Sequence, residues 1–113
     1  MEKNDLLAPL FAARTDLTHR LVELSPTDDA SRALLHSMME ERDSLNGAIN
    51  TLTQQQFQSV STLELKGALD ELKASVKSLG ALECQIATAN QVIGIIGTIV
   101  DIAAKAAAII ATL

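Results

Sequence analysis

Residues 84–113 read CQIATANQVIGIIGTIVDIAAKAAAIIATL, a stretch with two charges, Asp101 and Lys105, whereas the preceding 83 residues carry the other twenty-one. Within it Ile86, Ala89, Ile93, Ile96, Val100, Ala103, Ala107 and Ile110 recur at alternating steps of three and four, the period of one helix face. Val92, Ile95, Ile99, Ile102 and Ile109 widen that face well beyond a two-stranded seam. Gln91, Gly94, Thr98, Asp101, Lys105, Ala108 and Thr112 make a narrow polar or small stripe at the same spacing. The segment therefore predicts a long amphipathic helix with a thin wet side, whose remaining surface has to be covered.

Outward from this segment, the rest of the chain is also helical in pattern. Leu6, Leu10, Ala13, Leu17, Leu21 and Leu24 form one stripe, and Pro9, which lacks an N–H, places that helix's start near Asn4 or Asp5. Ser25-Pro26-Thr27-Asp28 is a helix-start pattern, with an N-cap serine, proline at the first helical position and an acid at the third. From there Leu34, Met38, Leu45, Ile49 and Leu52 share a face that Arg42 interrupts, and Gly47 is either a tolerated surface glycine or the mark of a close contact. Ser61-Thr62-Leu63-Glu64 is a second capping box, preceded by a turn near Phe57 to Ser61. It opens a helix with Leu65, Leu69, Leu72, Val76 and Leu79 inward and Lys66, Asp70, Glu71, Lys73 and Lys77 on a solvated face.

Gly80 is where the spacing slips, because Val76, Leu79, Leu82 and Ile86 include two consecutive steps of three. A glycine C-cap would end the helix there; a stutter would leave one rod from Ser61 to Leu113. With no Asn, Asp, Ser or Pro immediately after Gly80 to restart a helix, continuity is the expectation. The fold class that results is all-α: one domain over residues 1–113, an antiparallel bundle of three to four helices at about 5–24, 26–56, 61–79 and 81–113. Composition agrees, since 2% aromatic residues, five glycines and two prolines are too few for an all-β chain.

The first three helices offer one apolar stripe each, which looks too little to cover their own seams and the C-terminal helix. The expectation is a protein partner, a further copy of the chain first, seated on Ile86, Val92, Ile93, Ile95, Ile96, Ile99, Val100, Ile102, Ile109 and Ile110, with Gln91, Thr98, Asp101 and Lys105 left as the wet stripe. In function this makes a non-enzymatic interaction or assembly module of the adaptor, chaperone or immunity type. The alternative is a membrane. Residues 91–113 are long enough to span one, and their Ile, Val and Leu contribute roughly −3 to −6 kcal/mol against roughly +5 to +7 for Asp101 and Lys105, a sum near zero. A one-turn Asp101–Lys105 pair would soften that cost. In character, though without a diagnostic motif, these Ile, Gly and Ala runs resemble the hydrophobic segments of helical pore-forming toxins, a resemblance that implies insertion of segment 91–113.

Other chemistry is not indicated. Net charge is −5, with Phe11 and Phe57 the only aromatic rings, which argues against a nucleic-acid partner that needs a basic footprint or stacking platforms. His19 and His36 each have a glutamate one turn on, Glu23 and Glu40, but no second element at ligand spacing, so no metal and no cofactor is expected. Cys84, the sole cysteine, lies beside the seam and reads as a buried, inert thiol. No nucleophile elbow or phosphate-cradling glycine loop is present, and no catalytic residue is assigned. The acidic start Met1-Glu2-Lys3-Asn4-Asp5 is unlike a signal peptide, so the expected location is the cytoplasm, with signal-independent secretion or membrane association left open.

Overall fold

A computed structural model describes residues 2–56 and 62–113. Four helices account for the fold: α1 (Lys3–Glu23), α2 (Asp29–Gln54), α3 (Leu63–Gly80) and α4 (Ala89–Ala111), the last preceded by a 3₁₀ turn at Ile86–Thr88. They pack side by side with no strand among the described residues, an all-α bundle as the periodicity predicts.

The order around the bundle differs from the order along the chain. α4 lies between α2 and α3, and α1 also lies between those two, so α1 and α4 sit on opposite corners. Consecutive helices run antiparallel: the Lys3 ammonium at the start of α1 donates to the Thr53 carbonyl at the end of α2, 2.9 Å away. Neighbours that are not consecutive run parallel. Gln55, just past α2, donates to the Ala107 carbonyl near the end of α4 (2.9 Å), and Arg20, near the end of α1, reaches the carbonyl of Leu79 at the end of α3 (2.9 Å).

The helix ends show why local start signals misplace boundaries by a few residues. α1 starts at Lys3, with the Asp5 carboxylate accepting the Glu2 N–H at 2.8 Å, and carries Pro9 in its second turn. α2 starts three residues beyond Pro26. Asp28 accepts the Ser31 N–H at 2.8 Å, while Ser31 Oγ accepts the N–H groups of Asp28 (3.0 Å) and Thr27 (2.9 Å). That reciprocal cap satisfies more orphan donors than Ser25 could, and Pro26 falls in the connection. The Ser31 N–H first, and the Ser31 hydroxyl second, favour the Asp28 carboxylate and hold its pKa below the ordinary 3.8. α3 is capped by Thr62, whose hydroxyl accepts the Leu65 N–H at 3.1 Å. The turn expected at Phe57 to Ser61, and Ser61 as a cap, lie outside the described residues.

The continuous rod from Ser61 to Leu113 is overturned. α3 ends at Gly80, and the chain reverses through residues 81–88 before α4 begins. Gly80 does not cap by a left-handed turn, since no residue among those described has positive φ. The break is held by side chains instead. The guanidinium of Arg20 donates to the carbonyls of Leu79 (2.9 Å), Leu82 (2.7 Å) and Glu83 (2.8 Å), and the Thr88 hydroxyl bonds the Glu83 carbonyl at 2.6 Å. Leu79 lies in the last turn of α3, whose carbonyls lack partners inside the helix, and Leu82 and Glu83 lie in the connection itself.

The core is one cluster built from all four helices. Leu6, Leu10, Ala13 and Leu17 of α1, Met38, Leu45, Ile49 and Leu52 of α2, and Leu65, Leu69, Leu72 and Leu79 of α3 are buried, along the faces their spacing predicts. From α4 come Ala89, Val92, Ile96, Ile99, Ile102, Ala103, Ala106, Ala107 and Ile110. Leu21, Leu24, Leu34 and Val76 pack at its margin. The fold therefore covers more of α4 than a count of stripes suggests. Folding back at Gly80 places α2 and α3 on both flanks of α4, and its alanines bring α2 close, leaving less surface to cover.

Candidate functional site

The residues singled out in the C-terminal segment separate into two sets. Val92, Ile96, Ile99, Ile102 and Ile110 are buried within the single chain, so they are core and not a free surface. Ile86, Ile93, Ile95, Val100 and Ile109 are half-buried. Gln91, Thr98, Asp101 and Lys105 are all exposed, with Gly94, Ala104 and Ala108 among them, which places the narrow stripe on the outer face of α4 as its spacing predicts.

This outer face has a definite relief. At 100° per residue, Ile93 and Val100 fall on its α2 edge and Ile95 and Ile109 on its α3 edge. Beyond Val100 a groove of about 310 Å³ runs between α2 and α4, floored by Ala48, Ala103 and Ala107. On the other side Ser78 and Leu82 of the α3 end face Gln91, Gly94 and Ile95 across a groove of about 440 Å³. The crest between the grooves carries no large apolar side chain. Gly94 has open space where a Cβ would stand, so it serves no close approach inside the chain.

Asp101 and Lys105 occupy the middle of the crest. One turn apart, they could pair, yet neither makes an ion pair or hydrogen bond among the described residues, in contrast to the expectation from spacing. Two opposite charges thus stand unspent about 6 Å apart along the axis, with only Ala104 exposed between them.

Other candidates resolve plainly. His36 pairs with Glu40 at 3.0 Å on the exposed side of α2, and His19 is exposed on α1. Among the described residues no cluster of His, Cys, Asp and Glu could hold a metal. Cys84 is exposed rather than buried, because the break after Gly80 removes it from any helix seam. Gly47 has nothing within 4 Å of its would-be Cβ, so it is a surface glycine and not a packing contact.

The chain matches no protein-family model, no curated protein and no solved structure. One feature bears on membranes: Ile86–Ala111 is long and apolar enough to cross one, by length and composition.

The residue that spacing missed is Arg20. It is 4% exposed, salt-bridged to Asp16 at 2.5 Å, and inserted under the α3–α4 turn. An arginine on a stripe edge looks like any solvated residue, and its carbonyl partners lie some sixty positions away. The available local signal was Asp16 one turn earlier, which neutralises a guanidinium going inward.

Proposed function

We propose that this protein is a non-enzymatic helical interaction module that self-associates through the outer face of α4. The observation that carries the reading is the unpaired Asp101 and Lys105 at the centre of that face, flanked by half-buried Ile93, Val100, Ile95 and Ile109. A two-fold axis through the level of Ala103 runs α4 antiparallel to α4 of a second copy. Asp101 of each then faces Lys105 of the other, an isologous arrangement that uses every charge on the crest. Gly94, Ala104 and Ala108 let the backbones approach, while the aliphatic edges enter the partner's grooves.

A single helix face with its rims is small for an interface, so association is expected in the micromolar range. Sedimentation velocity of the wild-type chain at rising micromolar concentration tests it. A shift from a 12.0 kDa species to twice that mass supports the reading; a monomer throughout refutes it.

A second reading rests on the membrane-compatible length of Ile86–Ala111. In it the bundle stores α4 and releases it into a bilayer, at the cost of carrying Asp101 and Lys105 into the hydrocarbon. Flotation with anionic vesicles and release of entrapped dye at neutral and acid pH test it. The absence of both ends it.

A further inference from the structure

We propose that the groove between α1 and α2 lined by Arg14, Thr15, Thr18, Arg42 and Asn46 is a binding site for a phosphate-class oxyanion. The chain has four arginines. Arg20 and Arg32 each hold an aspartate of their own helix, Asp16 at 2.5 Å and Asp29 at 2.7 Å. Arg14 and Arg42 hold none. The positions one turn to either side are Leu10, Phe11, Leu17 and Thr18 for Arg14, and Met38, Met39, Leu45 and Asn46 for Arg42. Both are half-buried, and they meet in one groove of about 360 Å³ without a carboxylate in its lining. Glu41 and Asp43 flank Arg42 in sequence but do not line the groove. On a chain of net charge −5, two like charges brought together without an acid are a local inversion of the surface.

One guanidinium there is positioned, and the other donors are unspent. Arg14 lies over the Phe11 ring, 5.0 Å from its centroid, and donates through Nη1 to Asn46 Oδ1 at 3.2 Å, which orients the guanidinium at the groove. Arg42 and the hydroxyls of Thr15 and Thr18 make no hydrogen bond among the described residues. A planar carboxylate is satisfied by one guanidinium fork. A tetrahedral dianion takes bonds from two guanidinia on different helices and from hydroxyls between them, and it offsets both charges. The volume admits a phosphate with a small substituent.

The test is a titration with inorganic phosphate at constant ionic strength, following the arginine Nε–H resonances. Saturable shifts at Arg14 and Arg42, with Arg32 unmoved as the exposed internal control, are expected in the millimolar range. Arg42→Gln should weaken binding by about tenfold, and Arg42→Lys should restore only part of it, since a point charge lacks the fork. Three results would overturn the proposal: shifts linear in phosphate and shared with Arg32, equal shifts from acetate, or unchanged affinity in a folded Arg42→Gln chain. Should that variant unfold, the wild-type comparison of Arg42 with Arg32, and of phosphate with acetate, decides alone.

Discussion

Replacing Arg20 by methionine keeps an unbranched side chain of similar reach and removes every donor from the α3–α4 turn. The wild-type guanidinium bonds Asp16 Oδ1 (2.5 Å) and the carbonyls of Leu79, Leu82 and Glu83 (2.7 to 2.9 Å). At about 1.5 to 3 kcal/mol for each bond to a charged group, simple addition gives roughly 6 to 12 kcal/mol. That total overstates the loss. The bonds share one side chain and are not independent, Asp16 is 29% exposed and regains water, and methionine avoids the desolvation of a charge. A net cost of about 3 to 5 kcal/mol remains, comparable to other broken buried pairs. For a domain of this size that lowers the melting temperature by roughly 10 to 30 °C. Thermal and urea unfolding followed by far-UV circular dichroism measures it, and Arg20→Lys should recover less than half of the loss. A cost below about 1 kcal/mol, the scale of an ordinary surface change, would refute the view that this arginine holds the turn.

Three further outcomes follow from the geometry. Ile96→Asp places a charge at a position 0% exposed in the core and should unfold the chain, costing more than about 4 kcal/mol, whereas Ile95→Asp on the α3 edge should leave it folded but weaken self-association, as chemical denaturation and sedimentation would show. Gly47→Ala, in mid-helix with nothing within 4 Å, should raise stability by about 0.5 to 1 kcal/mol; a loss in urea unfolding would mean the site is crowded. Asp28 has a folded pKa below 3.8, so its ionised form contributes stability above that value and loses it as pH falls through the lowered pKa. Asp28→Asn keeps a capping oxygen without the charge. Its deficit in urea midpoint against wild type should therefore be present at neutral pH and disappear in strong acid, and a deficit independent of pH would contradict the cap assignment.

Much of the bundle is legible in the sequence because helix periodicity is a local property. The inward faces of α1, α2 and α3 and the exposed Gln91–Lys105 stripe follow from steps of three and four alone. What spacing cannot show is set between distant segments. The end of α3 depends on Arg20, a residue of α1, so the absence of a local restart signal after Gly80 pointed wrongly to a rod. The shortfall in cover for Ile96 and Ile99 follows from the same error, because only a reversal at Gly80 puts α3 beside α4. Cys84 moved from seam to surface for that reason as well. The start of α2 was displaced for a different one: Ser25 and Asp28 are both competent caps, and only the mutual bonds of Asp28 and Ser31 choose between them. Of the candidate interface residues, the sequence separates wet from apolar, but not core from edge, since Ile95 and Ile96 are equally hydrophobic and differ only in which neighbour covers them.

The most direct test of self-association through α4 is a charge-reversal cycle read by sedimentation. Asp101→Lys alone places two lysines opposite each other at both symmetry-related contacts, and Lys105→Asp alone does the same with carboxylates. Both single variants should sediment as monomers at concentrations where the wild type dimerises, while Asp101→Lys combined with Lys105→Asp should dimerise again, because the reciprocal pairing is restored with reversed sign. A wild type that remains monomeric, or a dimer that withstands either single reversal, would contradict the proposed interface.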